Sequence, residues 1–224
     1  MNGGSLLAQI MSVAAALLLL SAFALLAQRH MRALMHWFAL QGVVLALASA
    51  LVAALADVPE LYFSAVLTLA LKGMFLPWLL WRLVVRLGVH REVEPLWNIT
   101  ATLLVGAALV WFAFQVALPV ERLTHAATRN TIAIALACLF LGLLMMVTRR
   151  KAVTQVVGLL AMENALFFTA VAATYGMPLV VELGVAFDVL VATVVIGLFF
   201  FHMRDTFDSL DVAALERRMR EGEE

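Results

Sequence analysis

Runs of about twenty apolar residues, each closed by charge, glycine or proline, follow one another along almost the whole chain. A helix that crosses a membrane needs a stretch of about that length at roughly 1.5 Å rise per residue. With 65% of 224 residues hydrophobic and 13% charged, apolar surface far exceeds what one water-soluble core can hide, so lipid is part of the solvent. The runs fall near residues 5–27, 34–56, 61–81, 99–120, 131–148, 153–174 and 179–202. They predict an all-α integral membrane bundle of seven transmembrane helices over residues 1–204, followed by a short tail, 205–224. The first run, Leu6 to Leu26, lacks a basic leader and is read as a retained helix.

The formal net charge is zero, but the charges are not evenly placed. Arg29 and Arg32 follow the first span, Arg82, Arg86 and Arg91 the third, Arg149, Arg150 and Lys151 the fifth, and Arg204, Arg217, Arg218 and Arg220 the seventh. In a seven-span chain all of these share one side, and only Arg122 and Arg129 lie on the other. Basic residues are retained in the cytoplasm, which predicts an N-terminus outside, a C-terminus inside and a multi-pass membrane protein. The cytoplasmic tail has a helix start at Ser209, whose hydroxyl can cap the turn carrying Asp211. Trp37, Trp78, Trp81 and Trp97 fit an interfacial belt near the cytoplasmic face.

A shift of 122 residues lays Val58-Pro59-Glu60-Leu61 on Val180-Val181-Glu182-Leu183, and Gln41-Gly42 on Glu163-Asn164. Spans two and three (34–81) are thus a candidate older copy of spans six and seven (153–202), in parallel orientation.

A charge at the centre of a bilayer costs roughly 2.5 to 3.5 kcal/mol even on insertion scales, so each one needs a reason. Lys72 lies about eleven residues into span three, or roughly 16 Å deep. Glu163 is about as deep in span six, and Asp188 in span seven. The sharp reading is a proton or sodium relay, because a low dielectric lets buried acids and bases exchange charge at modest cost. The plainer reading is a salt bridge from Lys72 to Glu163 or Asp188 that fixes packing. Pro77 removes a hydrogen bond to the Gly73 carbonyl and predicts a bend beside Lys72. Asn164, Gln41 and His36 can line a polar path, as can Gln115, though such groups also join helices to one another. Glu60 and Glu182 stand at the outer ends of their helices as access or exit groups.

What is missing narrows the function. Cys138 is the only cysteine, which excludes an internal disulfide, an iron–sulfur cluster and a thiolate zinc site. There is no phosphate-binding glycine loop, no HExxH motif and no haem-ligating histidine pair, so no catalytic, metal or cofactor-binding residues are assigned to this chain.

The stretch from Arg149 to Glu224, with Gly158-Leu159, Glu163-Asn164-Ala165 and His202-Met203-Arg204 before an acidic tail, resembles the K subunit of respiratory complex I. Lys72-Gly73, Pro77-Trp78, Tyr175-Gly176-Met177-Pro178, Glu182 and Phe187-Asp188 make the chain more similar still to the hydrogenase-4 component E family. In the K subunit a carboxylate follows the Gly-Leu pair directly, whereas here Leu160 does so and Glu163 comes one turn later. The resemblance implies a non-catalytic, ion-translocating subunit of a membrane-bound hydrogenase, a formate hydrogenlyase or a complex I-like assembly. It implies antiporter-like membrane partners and a peripheral redox arm carrying the nickel–iron centre and iron–sulfur clusters, with lipid around the chain and no nucleic acid. Two other readings stand beside it: a subunit of a multi-subunit cation/proton antiporter, and a structural adaptor whose buried charges lock helices together.

Overall fold

A computed structural model of the chain describes residues 3–56, 59–86, 98–121 and 129–174, together with positions 190, 193, 194 and 197. Contacts divide the chain into two units, residues 1–185 and 186–224. In the second unit the four described positions are helical. The first unit holds α1 (Gly3–Ala27), α2 (Met31–Ala56), α3 (Glu60–Thr68), a π-helical segment (Leu69–Phe75), α4 (Leu76–Arg86), α5 (Ile99–Glu121), α6 (Arg129–Thr148) and α7 (Ala152–Thr174). Among the described residues the architecture is all-helical.

Among the described residues, six helices are long and apolar enough to cross a membrane: Ala8–Ala27, Met31–Leu55, Leu61–Val85, Ile99–Pro119, Thr131–Thr148 and Ala152–Ala172. They match the first six expected spans to within a few residues. The third runs four residues further than expected because Arg82 does not break it. Its guanidinium lies back over the Trp78 ring, 5.0 Å from the centroid, so the charge sits at the rim while the stem stays on apolar surface. The expected seventh span at 179–202, apart from the four helical positions, lies outside the described residues, as do Glu182, Asp188 and the tail 205–224.

Apart from α4 and α5, which do not pack on each other, sequential helices are neighbours, as short connections favour. α1 packs on α2 and α6, α2 on α3 and the π segment, and α6 on α5 and α7. α5 is the outlying helix, with Leu104, Trp111 and Phe112 exposed to what must be lipid or protein. Gln115 is also exposed on α5, away from the buried polar groups described below.

Two places bring helix backbones unusually close, and both depend on glycine. A Cβ on Gly142 of α6 would lie 3.0 Å from the Gly158 carbonyl oxygen, and one on Gly158 of α7 would lie 2.9 Å from the Met146 nitrogen. The two helices therefore touch backbone to backbone, as small residues allow inside membranes. Likewise a Cβ on Gly42 of α2 would stand 2.8 Å from the Lys72 carbonyl carbon and 2.9 Å from both its oxygen and the Gly73 nitrogen.

The turn between α6 and α7 is pinned to α1 by a buried arginine. Arg149 is 1% exposed, and its Nη2 donates to the Leu26 carbonyl at 2.5 Å and the Gln28 carbonyl at 3.2 Å. These are carbonyls at the end of α1, where a helix has acceptors to spare and its dipole favours a cation. Gln155 Nε2 in turn donates to the Arg149 carbonyl at 2.9 Å. Burial lowers the Arg149 pKa from its ordinary value, yet a guanidinium starts so high that it stays charged.

Candidate functional site

The site begins with a departure from α geometry. Over Leu69–Phe75 the backbone winds as a π-helix, with the Leu76 N–H bonded to the Leu71 carbonyl five residues back. Pro77 follows at once and has no N–H to offer the preceding turn. Where the sequence pointed to a bend at Pro77, the backbone thus carries a wider turn just before it. Such single π turns inside α-helices are rare and concentrate at functional positions.

Lys72 stands in the middle of this segment and is fully buried. Its Nζ donates to Glu163 Oε1 at 2.5 Å, joining the third span to α7. Glu163 is 6% exposed. Phe167, one turn beyond Glu163 on α7, places its ring centroid 5.2 Å from the same ammonium. Counting along the helices, Lys72 lies twelve residues from Glu60 and Glu163 eleven from Ala152, about 16 to 18 Å from each helix start. Lys72 and Glu163, which the sequence places at similar distances into their spans, are thus in direct contact, and α7 supplies the carboxylate.

A second polar contact lies beside the first. Asn164 Nδ2 donates to Gln41 Oε1 at 3.2 Å, and both side chains are buried. Gln41 precedes Gly42, whose missing side chain lets α2 lie on the Lys72 backbone. So α2, the π segment and α7 meet at one place with a lysine, a glutamate and two amides. The pair of sequence positions matched by the 122-residue echo, Gln41-Gly42 and Glu163-Asn164, is here brought face to face.

His36 does not join this group. It is exposed, its Nδ1 donates to the Arg32 carbonyl at 2.7 Å, and it lines a cleft of about 380 Å³ with Arg32, Met35, Ala39, Pro77 and Trp81. The Arg32 guanidinium lies 5.1 Å from the Trp81 ring centroid. Glu60 is the first residue of α3, at the far end of the span from this cleft. Asp188 and Glu182 are outside the described residues.

Several polar residues escaped the sequence reading. Ser64 and Thr68 are buried on the third span, Ser49 is buried on α2, and Arg149 had been read only as a marker of sidedness. The spacing of Ser64, Thr68 and Lys72, four residues apart, was the available signal.

Chemically, the group can hold and move charge. A buried lysine and carboxylate balance each other only while both are ionised. A proton arriving at Glu163 dissolves that balance, and the ammonium must then turn to another anion or release its own proton.

No family model matches the sequence, and no solved structure matches it. A protein of Mycobacterium tuberculosis, named uncharacterized protein Rv0085, is 35% identical over 213 residues, a match covering 95% of this chain and 96% of the relative. With that identity over nearly the full length of both, the chain belongs to the family of the mycobacterial protein Rv0085.

Proposed function

We propose that this protein is an ion-translocating membrane subunit, carrying protons or sodium, of a membrane-bound hydrogenase or complex I-like redox assembly. It has seven spans in this reading, with its N-terminus outside and C-terminus inside the bacterial inner membrane, and antiporter-like subunits and a redox arm as partners. The nickel–iron and iron–sulfur centres belong to those partners, since one cysteine, Cys138, buried in α6, gives this chain no ligand set for them. The observation that carries the reading is the Lys72–Glu163 pair, charged groups deep in an apolar bundle at a π turn, beside the Gln41–Asn164 contact. An ionisable residue inside a membrane is costly enough that a functional role is the first reading of it. Asp188, at the corresponding depth of the seventh span, is the next relay group in this scheme, with Glu60 and Glu182 at the mouths.

Glu163→Gln tests it. The substitution removes the ionisable group and keeps the shape, so hydrogen-linked ion pumping in membrane vesicles falls while the complex still assembles. Undiminished pumping overturns the relay. The structural adaptor remains the second reading, favoured by the same cross-links between α2, the π segment and α7. Lys72→Met discriminates: failed assembly with no separate pumping defect supports the adaptor.

A further inference from the structure

Ser64, Thr68 and Lys72 recur every four residues along the third span, and all three are buried. Glu60, one step earlier in the same series, opens α3. In a continuous α-helix eight residues overshoot two turns by roughly 80°, which would carry Lys72 off the line of Ser64. The π segment that starts at Leu69 takes more residues per turn and withdraws much of that overshoot. The widened turn thus keeps Lys72 in register with the hydroxyls that precede it.

α2 packs along this stretch. Gly42 lies against the Lys72 backbone, and the third span runs antiparallel to α2. Seven residues beyond Gly42, roughly 10 Å along the axis, Ser49 comes to the level of Ser64 and Ala65. Ser49 is buried, and its hydroxyl donates to the Leu45 carbonyl at 3.0 Å. Ser64 Oγ is buried and has no hydrogen-bond partner among the described residues. Buried hydroxyls almost always have a partner in protein or ordered water, so this one points to water within the stripe.

Resting on the relay reading above, we propose that Ser64 and Thr68 line a hydrated access path from the Glu60 end of α3 to the Lys72–Glu163 pair. A hydroxyl both donates and accepts, so a serine and a threonine one turn apart can hold a file of waters and pass a proton along it. Aliphatic side chains of the same size cannot. The path gives the relay a mouth on the side of the membrane opposite the Arg32 and His36 cleft.

Single cysteines in the full-length chain test for water directly, with Cys138→Ala as background. A charged, membrane-impermeant methanethiosulfonate reagent reacts with the thiolate, which forms only where water reaches. Ser64→Cys and Thr68→Cys are compared with Ala65→Cys, buried on a neighbouring face, and Val66→Cys, exposed toward lipid. The reagent is applied to intact cells and to inverted vesicles. Modification of positions 64 and 68, from the Glu60 side, at least about tenfold faster than at 65 and 66 is the expected result. Rates no higher than at the controls overturn the path. This readout needs no transport, so a dry stripe refutes the path and leaves the relay to be judged by Glu163→Gln. The second measurement is ion translocation by Ser64→Val with Thr68→Val, which falls at least about tenfold if the hydroxyls carry the water file. Undiminished translocation overturns the path as the route. Ser64→Ala serves in place of the valine variant if the latter does not accumulate.

Discussion

Replacing Lys72 by Met and Glu163 by Leu, singly and together, measures what the buried pair does for the fold and separates that from what it does for transport. Lys72 is fully buried, Glu163 is 6% exposed, and their charged atoms are 2.5 Å apart. Removing one partner of such a pair leaves an uncompensated charge in a low-dielectric interior, at a cost of about 3–5 kcal/mol. Replacing both by apolar side chains of similar volume is close to neutral, or more stable by about 1–4 kcal/mol. The cycle therefore closes with a coupling of about 6 kcal/mol or more, far above the roughly 0.3–0.5 kcal/mol scatter of independent sites. The assay is unfolding of the full chain in mixed micelles, by denaturant and by heat. At about 2–4 °C per kcal/mol for a chain of this size, each single variant loses roughly 6 to 20 °C in Tm and the double variant regains most of it. Single variants within about 1 kcal/mol of the parent, or a double variant whose loss is the sum of the two, would refute the reasoning. A double variant that is stable, assembles and still moves ions would show that the pair is a lock and no wire.

Three further outcomes follow from other contacts. Gly42→Ala drives a methyl onto the Lys72 and Gly73 backbone at 2.8–2.9 Å, so it destabilises by about 1–3 kcal/mol in the same unfolding assay. Gly73→Ala meets nothing closer than the end of the Leu69 side chain at 3.2 Å and costs less than half as much. Arg149→Ala strips the end of α1 of a charged donor to two carbonyls and lowers stability by about 2–4 kcal/mol, with proteolysis near residue 28 the local readout. Green fluorescent protein fused to the C-terminus fluoresces and a periplasmic phosphatase fused there is inactive, as an inward C-terminus requires; the reverse pattern rejects the charge-based orientation.

How much of this could be read from residues alone depended on whether the feature was priced by depth or by rotation. The depth of Lys72 and Glu163 was legible, because charge that far into an apolar run is costly wherever the helix turns. Which carboxylate faced the lysine was not, since that depends on the rotation of each helix and on the extra residue held in the π turn. Pro77 signalled irregularity, but a missing N–H is equally consistent with a bend. Gln41 and Asn164 were visible as polar groups in spans, while their contact required the close approach at Gly42. His36 has the same sequence character as Gln41, yet five residues turn it by more than a full winding and leave it exposed. Arg149 was counted for sidedness because it lies in a basic turn, where a solvated charge is the ordinary case.

The backbone contact between Gly142 and Gly158 has a mechanical corollary. Two helices that touch main chain to main chain, with their turn riveted to α1 through Arg149, make a stiff mount, and Glu163 is bolted to it five residues past Gly158. Lys72 has a main-chain contact of the same kind, to Gly42 of α2, within a turn whose hydrogen bonds are out of α register. Both members of the pair are therefore anchored main chain to main chain, so the spacing of the two charges is set by helix packing and not by the reach of their side chains.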